Sequence, residues 1–418
     1  MLMPITAELS TGKKLSICLV SDDFLPAATG VGSHLQVVAA ELAKRGHEVA
    51  VITTRRPEHP AFEIWQGVKV YHTKTLKILG FYQAIPSVSK IEKIFEEIQP
   101  DIVHYHYLSF LLLQVMKVAK RLDLPSVITY HMSEEHLTQP LPMRPFRSLI
   151  AKKIVSCCNR MDHVISVSKN LVTQITEKGI TTSVSYISNP VIFSDIATTK
   201  PLLREAKVQY LFAGRLNPEK NVPYLLHGFK KLLTTTPDAI LWIAGHGSQK
   251  NTLEKLVIDL GISDRVKFLG FLAHDQLSHY YASCDGFVLP SIYETQGLVA
   301  MEAMWFSKPI IVTNRIVSAT ELVDHEVNGY IVEAKSVAEL THRMETLATD
   351  PALRVRMGEA GRKRANEYRP EIVMEELENV YQQVNNKHTK SNHQSEKRNN
   401  GFLPSRVENI NFYPKQKV

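Results

Sequence analysis

Twice over, the chain alternates between short apolar runs and stretches of helical periodicity, and this rhythm limits what it can fold into. The first series opens with an apolar run at 15–20 that ends in polar residues. A glycine-containing loop follows, then a helical stretch over 31–45 and the apolar run of HEVAVITT. Strand, loop, helix and strand in that order make a βαβ unit of a parallel sheet. The pattern continues through VKVYHT, a helix over 89–98, IVHYH, a helix over 111–121, SVITYH and HVISVS. It lapses over 189–207. A second series then runs through VQYLFAG, a helix over 222–233, AILWIAG, a helix over 249–260, VKFLG, a helix over 275–283, GFVLP, a helix over 299–305 and PIIVT. Two such series predict two doubly wound α/β domains, at 1–195 and 205–365. A last helix over 370–384, with Ile372, Leu377, Val380 and Tyr381 as its buried stripe, is expected to complete the first domain.

Composition narrows the classes. At 418 residues the chain is too long for one ordinary core. No apolar run approaches the ~20 residues needed to cross a bilayer, and the first residues lack the pattern of a signal peptide. Cys18, Cys157, Cys158 and Cys284 have no zinc-ligand spacing and are too few for a disulfide scaffold, so a cytoplasmic location is expected. The net charge of +7 is concentrated at one end. Residues 387–418 hold seven Lys/Arg against two Asp/Glu, which leaves only about +2 on the rest. A nucleic-acid partner therefore has little support, and that polar, basic tail is expected to be disordered.

Chemistry-bearing residues cluster in the second series. VQYLFAG runs into Gly214, Arg215, Leu216, Asn217, Pro218, Glu219 and Lys220. Arg215 and Lys220 thus leave the carboxyl end of a strand, where open α/β sheets bind ligands. Arginine's planar fork and lysine's point charge suit a diphosphate, although an ordinary charged loop would read the same way. Further on, LPSIYETQGLVAMEAM places Glu294 on a loop and Glu302 in a helix that starts near Gly297. Both carboxylates can then face one cleft, and the N–H groups of Gly297, Leu298 and Val299 can point at a phosphate.

In combination these segments are specific. The order GRLNPEKN, a strand ending in Ala-Gly-His-Gly, RVKFLG and the Glu294/Glu302 pair resembles family 4 of the retaining glycosyltransferases. SDDFLPAATGVGSHL is similar to that family's Pro-x-x-Gly-Gly loop, with Thr29 at the first glycine. PDIVHYH and ISVSKNL sit where the family has similar strands, and Asn189 matches its asparagine at the domain crossing. IVSATEL replaces the usual Gly-Gly before Pro-Glu and leaves Glu321 as the recognisable remnant. The resemblance spans about residues 15–381. It implies the GT-B fold: two Rossmann-like domains facing across a cleft, with the C-terminal helix returning toward the first domain.

The resemblance also implies roles. Arg215 and Lys220 would bind the donor diphosphate, Glu302 the ribose hydroxyls and Glu294 the transferred hexose. Gly297 and Leu298 would offer backbone amides, while Gly30 would let backbone approach the donor. His131 would lie across the cleft near the reacting centre. Gly214 and Gly245 end two strands beside the donor, and His246, between Gly245 and Gly247, has a claim to touch it. His104 and His106 alternate on a strand and read first as core or surface histidines. Catalysis in the family amounts to neutralising the leaving diphosphate with fixed cations and dipoles. Same-face attack with retention needs no carboxylate nucleophile, unlike retaining glycosidases. No metal and no cofactor besides the nucleotide-sugar substrate are expected.

Donor and acceptor are less constrained. Glu294-Thr295-Gln296-Gly297-Leu298 is similar to diacylglycerol glucosyltransferases of the family, which favours a UDP-sugar over GDP-mannose and a lipid-linked acceptor. A polysaccharide or small soluble acceptor is the alternative, and a non-catalytic nucleotide-sugar binding protein is the competing class. Residues 143–155 interleave Arg144, Arg147, Lys152 and Lys153 with Phe146, Leu149, Ile150 and Ile154, and 74–82 form another basic, apolar loop. Such stretches fit either peripheral contact with an anionic membrane or a buried helix with a solvated basic side.

Overall fold

The computed structural model describes residues 13–25, 30–78, 81–106, 108–131 and 145–400. The first sheet is built from β1 (Ser16–Val20), β2 (Glu48–Thr54), β3 (Phe62–Trp65), β4 (Val68–Thr73), β7 (Ile102–Tyr105), β8 (Ser126–Tyr130), β9 (His163–Ser166) and β10 (Val184–Tyr186). Its order is β10-β9-β8-β7-β1-β2-β4-β3, with every pairing parallel except β3 against β4. The second sheet comprises β11 (Val208–Ala213), β12 (Ala239–Ala244), β13 (Val266–Gly270), β14 (Gly286–Leu289), β15 (Ile310–Thr313) and β16 (Gly329–Val332). It is parallel throughout, in the order β13-β12-β11-β14-β15-β16. The continuous apolar reading of β8, β11 and β12 follows from burial of every residue in them, as expected where helices cover both faces of a parallel sheet.

Strand order reverses between β1 and β7 in one sheet and between β11 and β14 in the other. The crevice outside the carboxyl ends at such switch points is where open α/β sheets hold ligands. The segments leaving β7, β8, β11 and β14 carry His106, His131, Gly214 and the loop toward Glu294. Topology alone therefore brings these four segments to the carboxyl ends of the two sheets.

The chain returns to the first sheet in the helix Pro370–Asn400. Val373, Met374, Leu377, Val380, Tyr381 and Val384 join the core that contains β1 and the helix Gly30–Lys44. Glu378 fixes the contact by accepting from Arg45 at 3.0 Å and lying 2.8 Å from His47 Nε2. Two expectations change here. Ile372 is 47% exposed, because the inward stripe is one residue out of phase with it. The helix also runs on to Asn400 where disorder was expected from 387. Once a helix is anchored by packing, each further residue adds a hydrogen bond without a new nucleus, and His388 donates to the Asp123 carbonyl at 2.7 Å. Residues 401–418 of the expected tail lie outside the described residues. The loop expected over 74–82 instead contains β5 (Thr75–Ile78) and β6 (Phe81–Ala84), paired antiparallel. No helix among the described residues is long and apolar enough to cross a membrane.

Candidate active site

The second domain's half of the site is built on close backbone approach. Gly214 and Gly245 follow β11 and β12 with φ of +149° and +137°. A Cβ on Gly245 would stand 1.8 Å from the Gly214 carbonyl oxygen, so no side chain fits there. Beyond Gly214 the chain makes the short 3-10 turn Pro218–Lys220, and Asn221 adopts a left-handed conformation before the helix Val222–Leu232. That turn carries Lys220 inward to pair with Glu294, and their side chains are only 12% and 22% exposed. The Ile292 N–H donates to the Glu219 carbonyl and the Val317 N–H to the Glu294 carbonyl, both at 2.9 Å, which pins the two loops. Arg215 points outward at 58% exposure and lies 3.5 Å from Glu219. Lys220 and Glu294 are thus brought together, while Arg215 stands at the rim.

Gly297 is the N-cap of the helix Leu298–Trp305, with φ of +74°. A Cβ there would press on Leu289 Cδ2 at 3.0 Å. The Ala300 N–H turns back to the Gly297 carbonyl at 2.9 Å, whereas the N–H groups of Leu298 and Val299, as first-turn groups, have no acceptor within the helix. Glu302 lies one turn inside and accepts from the Tyr281 hydroxyl at 2.8 Å. Burial raises its pKa above the usual carboxylate value, against the lowering effect of His274 and the Tyr281 hydrogen bond. The two acids therefore have separate partners, Glu294 a cation and Glu302 a phenol. His246 is exposed after β12, with its ring against Gly270.

Across the cleft, His131 follows β8. Its carbonyl accepts from the Thr295 hydroxyl at 2.9 Å, which docks the Glu294 loop directly onto the first domain. Gln296 accepts from the Asn189 N–H at 3.2 Å and donates to Ser188 Oγ. Glu321 caps a helix of the opposite domain, Lys169–Glu177. It accepts from Ser168 Oγ at 2.6 Å and from the N–H groups of Asn170 at 2.9 Å and Lys169 at 3.0 Å. Thr295, Gln296, Ser168 and Glu321 were not read from the sequence as crossing contacts. The signal available was Ser168 as an N-cap, its hydroxyl accepting from the Leu171 N–H at 3.3 Å.

The His131 ring is buried with two others. Its Nε2 lies 3.2 Å from His106 Nδ1, and the His34 ring is 4.8 Å away between centroids. Burial lowers all three pKa values, His131 to about 3. His104 is also buried but fully bonded, to Tyr381 at 2.6 Å and Thr129 at 2.7 Å. Gly30 begins the helix Gly30–Lys44, and a Cβ there would meet nothing within 4 Å, so packing within the protein does not demand a glycine. Arg144 lies outside the described residues. Arg147, Lys152 and Lys153 are exposed on the helix Arg147–Cys158, flanked by Phe146 and Leu149 at 51% and 66% exposure. Ile150 and Ile154 pack inward. The segment is therefore half core helix and half exposed basic, apolar face.

Residues 194–364 match the family described as glycosyl transferases group 1, and residues 28–194 match glycosyltransferase family 4. The chain belongs to this family of glycosyltransferases. The α-monoglucosyldiacylglycerol synthase of Streptococcus pneumoniae is 25% identical over 346 residues, 77% of this chain and 78% of that one. Among solved structures, sucrose-phosphate synthase from Thermosynechococcus elongatus superposes with a TM-score of 0.75 at 21% identity, covering 88% of this chain and 98% of that one. Anabaena HepE in complex with UDP gives 0.70 at 19% identity, covering 88% and 99%. The fold of this glycosyltransferase is GT-B, and its substrates are a nucleotide sugar and a glycosyl acceptor.

Proposed function

We propose that this glycosyltransferase moves a hexose from a UDP-sugar to a lipid-linked acceptor, with retention at the anomeric carbon and without a resident metal or cofactor. The observation that carries the donor half is the inward Lys220–Glu294 pair beside the Gly297 helix start, on a loop whose Thr295 hydroxyl donates to the His131 carbonyl of the first domain at 2.9 Å. A nucleoside diphosphate leaves with its charge growing on the bridging oxygen. Lys220 and the N–H groups of Gly297 and Leu298 are the cation and dipoles aimed at that charge, and Arg215 adds its charge to the diphosphate from the rim. Glu294 then turns from Lys220 to the hexose hydroxyls. Glu302, oriented by Tyr281, receives the ribose hydroxyls, and the His131 ring lines the sugar pocket with Gly214, Gly245, His246 and Gly30 around the donor. Retention follows from acceptor attack on the face the diphosphate leaves, with a phosphate oxygen taking the acceptor proton.

The UDP complex of Anabaena HepE favours uridine as the base. The pneumococcal synthase favours a lipid acceptor, as does the exposed face of Phe146, Arg147, Leu149, Lys152 and Lys153. Each Lys or Arg near an anionic surface contributes about 1 kcal/mol, screened by salt. The test offers UDP-glucose or GDP-mannose with diacylglycerol in phosphatidylglycerol vesicles and reads the product's anomeric configuration by proton NMR. An α-linked glycolipid from UDP-glucose, formed less readily as salt rises, is expected. A β-linked product refutes retention. Indifference to vesicles, with turnover of a soluble glycan, refutes the lipid reading and leaves sugar transfer in place.

A further inference from the structure

Four histidines are buried at the carboxyl ends of the first sheet and beside them, and three of them are unlike the fourth. His104 has both ring nitrogens bonded, to Tyr381 and Thr129. Among the described residues, His34 Nδ1 and His106 Nε2 have no hydrogen-bond partner at all. His34, His106 and His131 are 6%, 1% and 7% exposed, and one ring nitrogen from each lies within 4.8 Å of the other two. They come from three separate elements: the helix Gly30–Lys44, the end of β7 and the end of β8. This convergence is a property of the packed sheet rather than of one local motif.

One spacing in the cluster is already that of a metal centre, and the other two close within 4.8 Å. Two imidazole nitrogens bound to one tetrahedral zinc at 2.0–2.1 Å stand about 3.3 Å apart, and His106 Nδ1 lies 3.2 Å from His131 Nε2. Three histidines with a fourth position left open form the ligand set of a zinc ion that can still accept an exogenous group. We propose that His34, His106 and His131 bind one divalent transition metal of the zinc class, and that the ion, by occupying the His131 ring, blocks sugar transfer. The binding half stands on the geometry alone. The inhibitory half rests on the donor pocket assigned to His131, and the two are read separately.

A second cluster is a competitor to control for. His59 Nδ1 and His72 Nε2 lie 2.8 and 2.7 Å from the same Glu63 oxygen, so both nitrogens already have a partner there. The His59→Gln variant therefore serves as the background. Chelator-treated full-length protein is titrated with cobalt(II), and the visible absorption of a tetrahedral site should saturate at one ion per chain and vanish on adding zinc. X-ray absorption of the zinc form should show a nitrogen-only protein shell. Adding His34→Gln or His106→Gln should weaken binding at least tenfold with melting temperature retained. Because the zinc spectrum needs no variant of the three histidines, a variant that fails to fold does not shelter the proposal. Absence of cobalt absorption and zinc uptake overturns the site, as does binding that persists in both variants. Zinc should also suppress transfer reversibly, with chelator restoring it. Stoichiometric binding without inhibition overturns the inhibitory half, and with it the placing of His131 against the donor.

Discussion

Replacing Lys220 with alanine separates a structural role from a catalytic one. The ammonium is inward, its side chain 12% exposed, and paired with Glu294. Deleting a single preorganised donor aimed at developing charge costs about 2.7–4 kcal/mol, or roughly 10²–10³ in kcat. Arg215 cannot compensate, since it sits at the rim with 58% exposure and has Glu219 beside it. The variant should also lose stability, because Glu294 is left without its cation. That loss should stay below the roughly 3–5 kcal/mol of a fully buried broken pair, because both groups keep some solvent. The double variant Lys220→Ala/Glu294→Gln removes the orphaned charge and should recover most of the melting temperature while turnover stays low. Steady-state kinetics of UDP release with thermal melting on the single and double variants decides it. Near-normal kcat in Lys220→Ala, or kcat restored with stability in the double variant, would show that the lysine holds a loop and does no chemistry.

Gly245→Ala forces a Cβ to within 1.8 Å of the Gly214 carbonyl. It should lower stability by at least the about 1–3 kcal/mol of an overpacked core and weaken nucleotide affinity, read by denaturant melts and calorimetry. Glu321→Ala removes three hydrogen bonds to the start of the Lys169–Glu177 helix. It should cost about 0.5–2 kcal/mol as a lost cap and, because the cap joins the domains, enlarge the radius of gyration in X-ray scattering. Glu378→Gln tests linkage. Burial pushes that carboxyl up, but the His47 hydrogen bond and the Arg45 charge hold it below its ordinary value. Its stabilisation is therefore present above the unfolded pKa of about 4.3 and lost as pH falls through the lower folded value. The gap in melting temperature between wild type and variant should be full near neutral pH and close under acid.

Much of the fold was legible because central strands such as β8, β11 and β12 are buried throughout and read as largely apolar runs. The same logic failed for β5 and β6, whose Leu76 and Lys77 are exposed and give a two-stranded ribbon no apolar signature. Helices Val337–Thr349 and Pro351–Ala365 went unread although Ser336 and Asp350 cap them, accepting from Glu339 N at 3.3 Å and Leu353 N at 2.8 Å, and Pro351 opens the second. Within the site, charge and glycine spacing pointed to Lys220, Glu294 and Gly297, whose elements place them by local geometry. What sequence could not supply was pairing across the chain. Glu302's phenol partner, Glu321's cap on the other domain and the meeting of His34 with His131 all depend on tertiary packing between distant segments.

Thermal melting with UDP, GDP and ADP in turn tests the donor site most directly, because a ligand that binds only the folded chain stabilises it by an amount that grows with the logarithm of its affinity. UDP should raise the melting temperature of the wild-type chain more than GDP or ADP, and Lys220→Ala should abolish most of that rise. A wild-type chain indifferent to all three nucleotides, or a UDP shift undiminished without Lys220, would contradict a nucleoside diphosphate held between the two sheets.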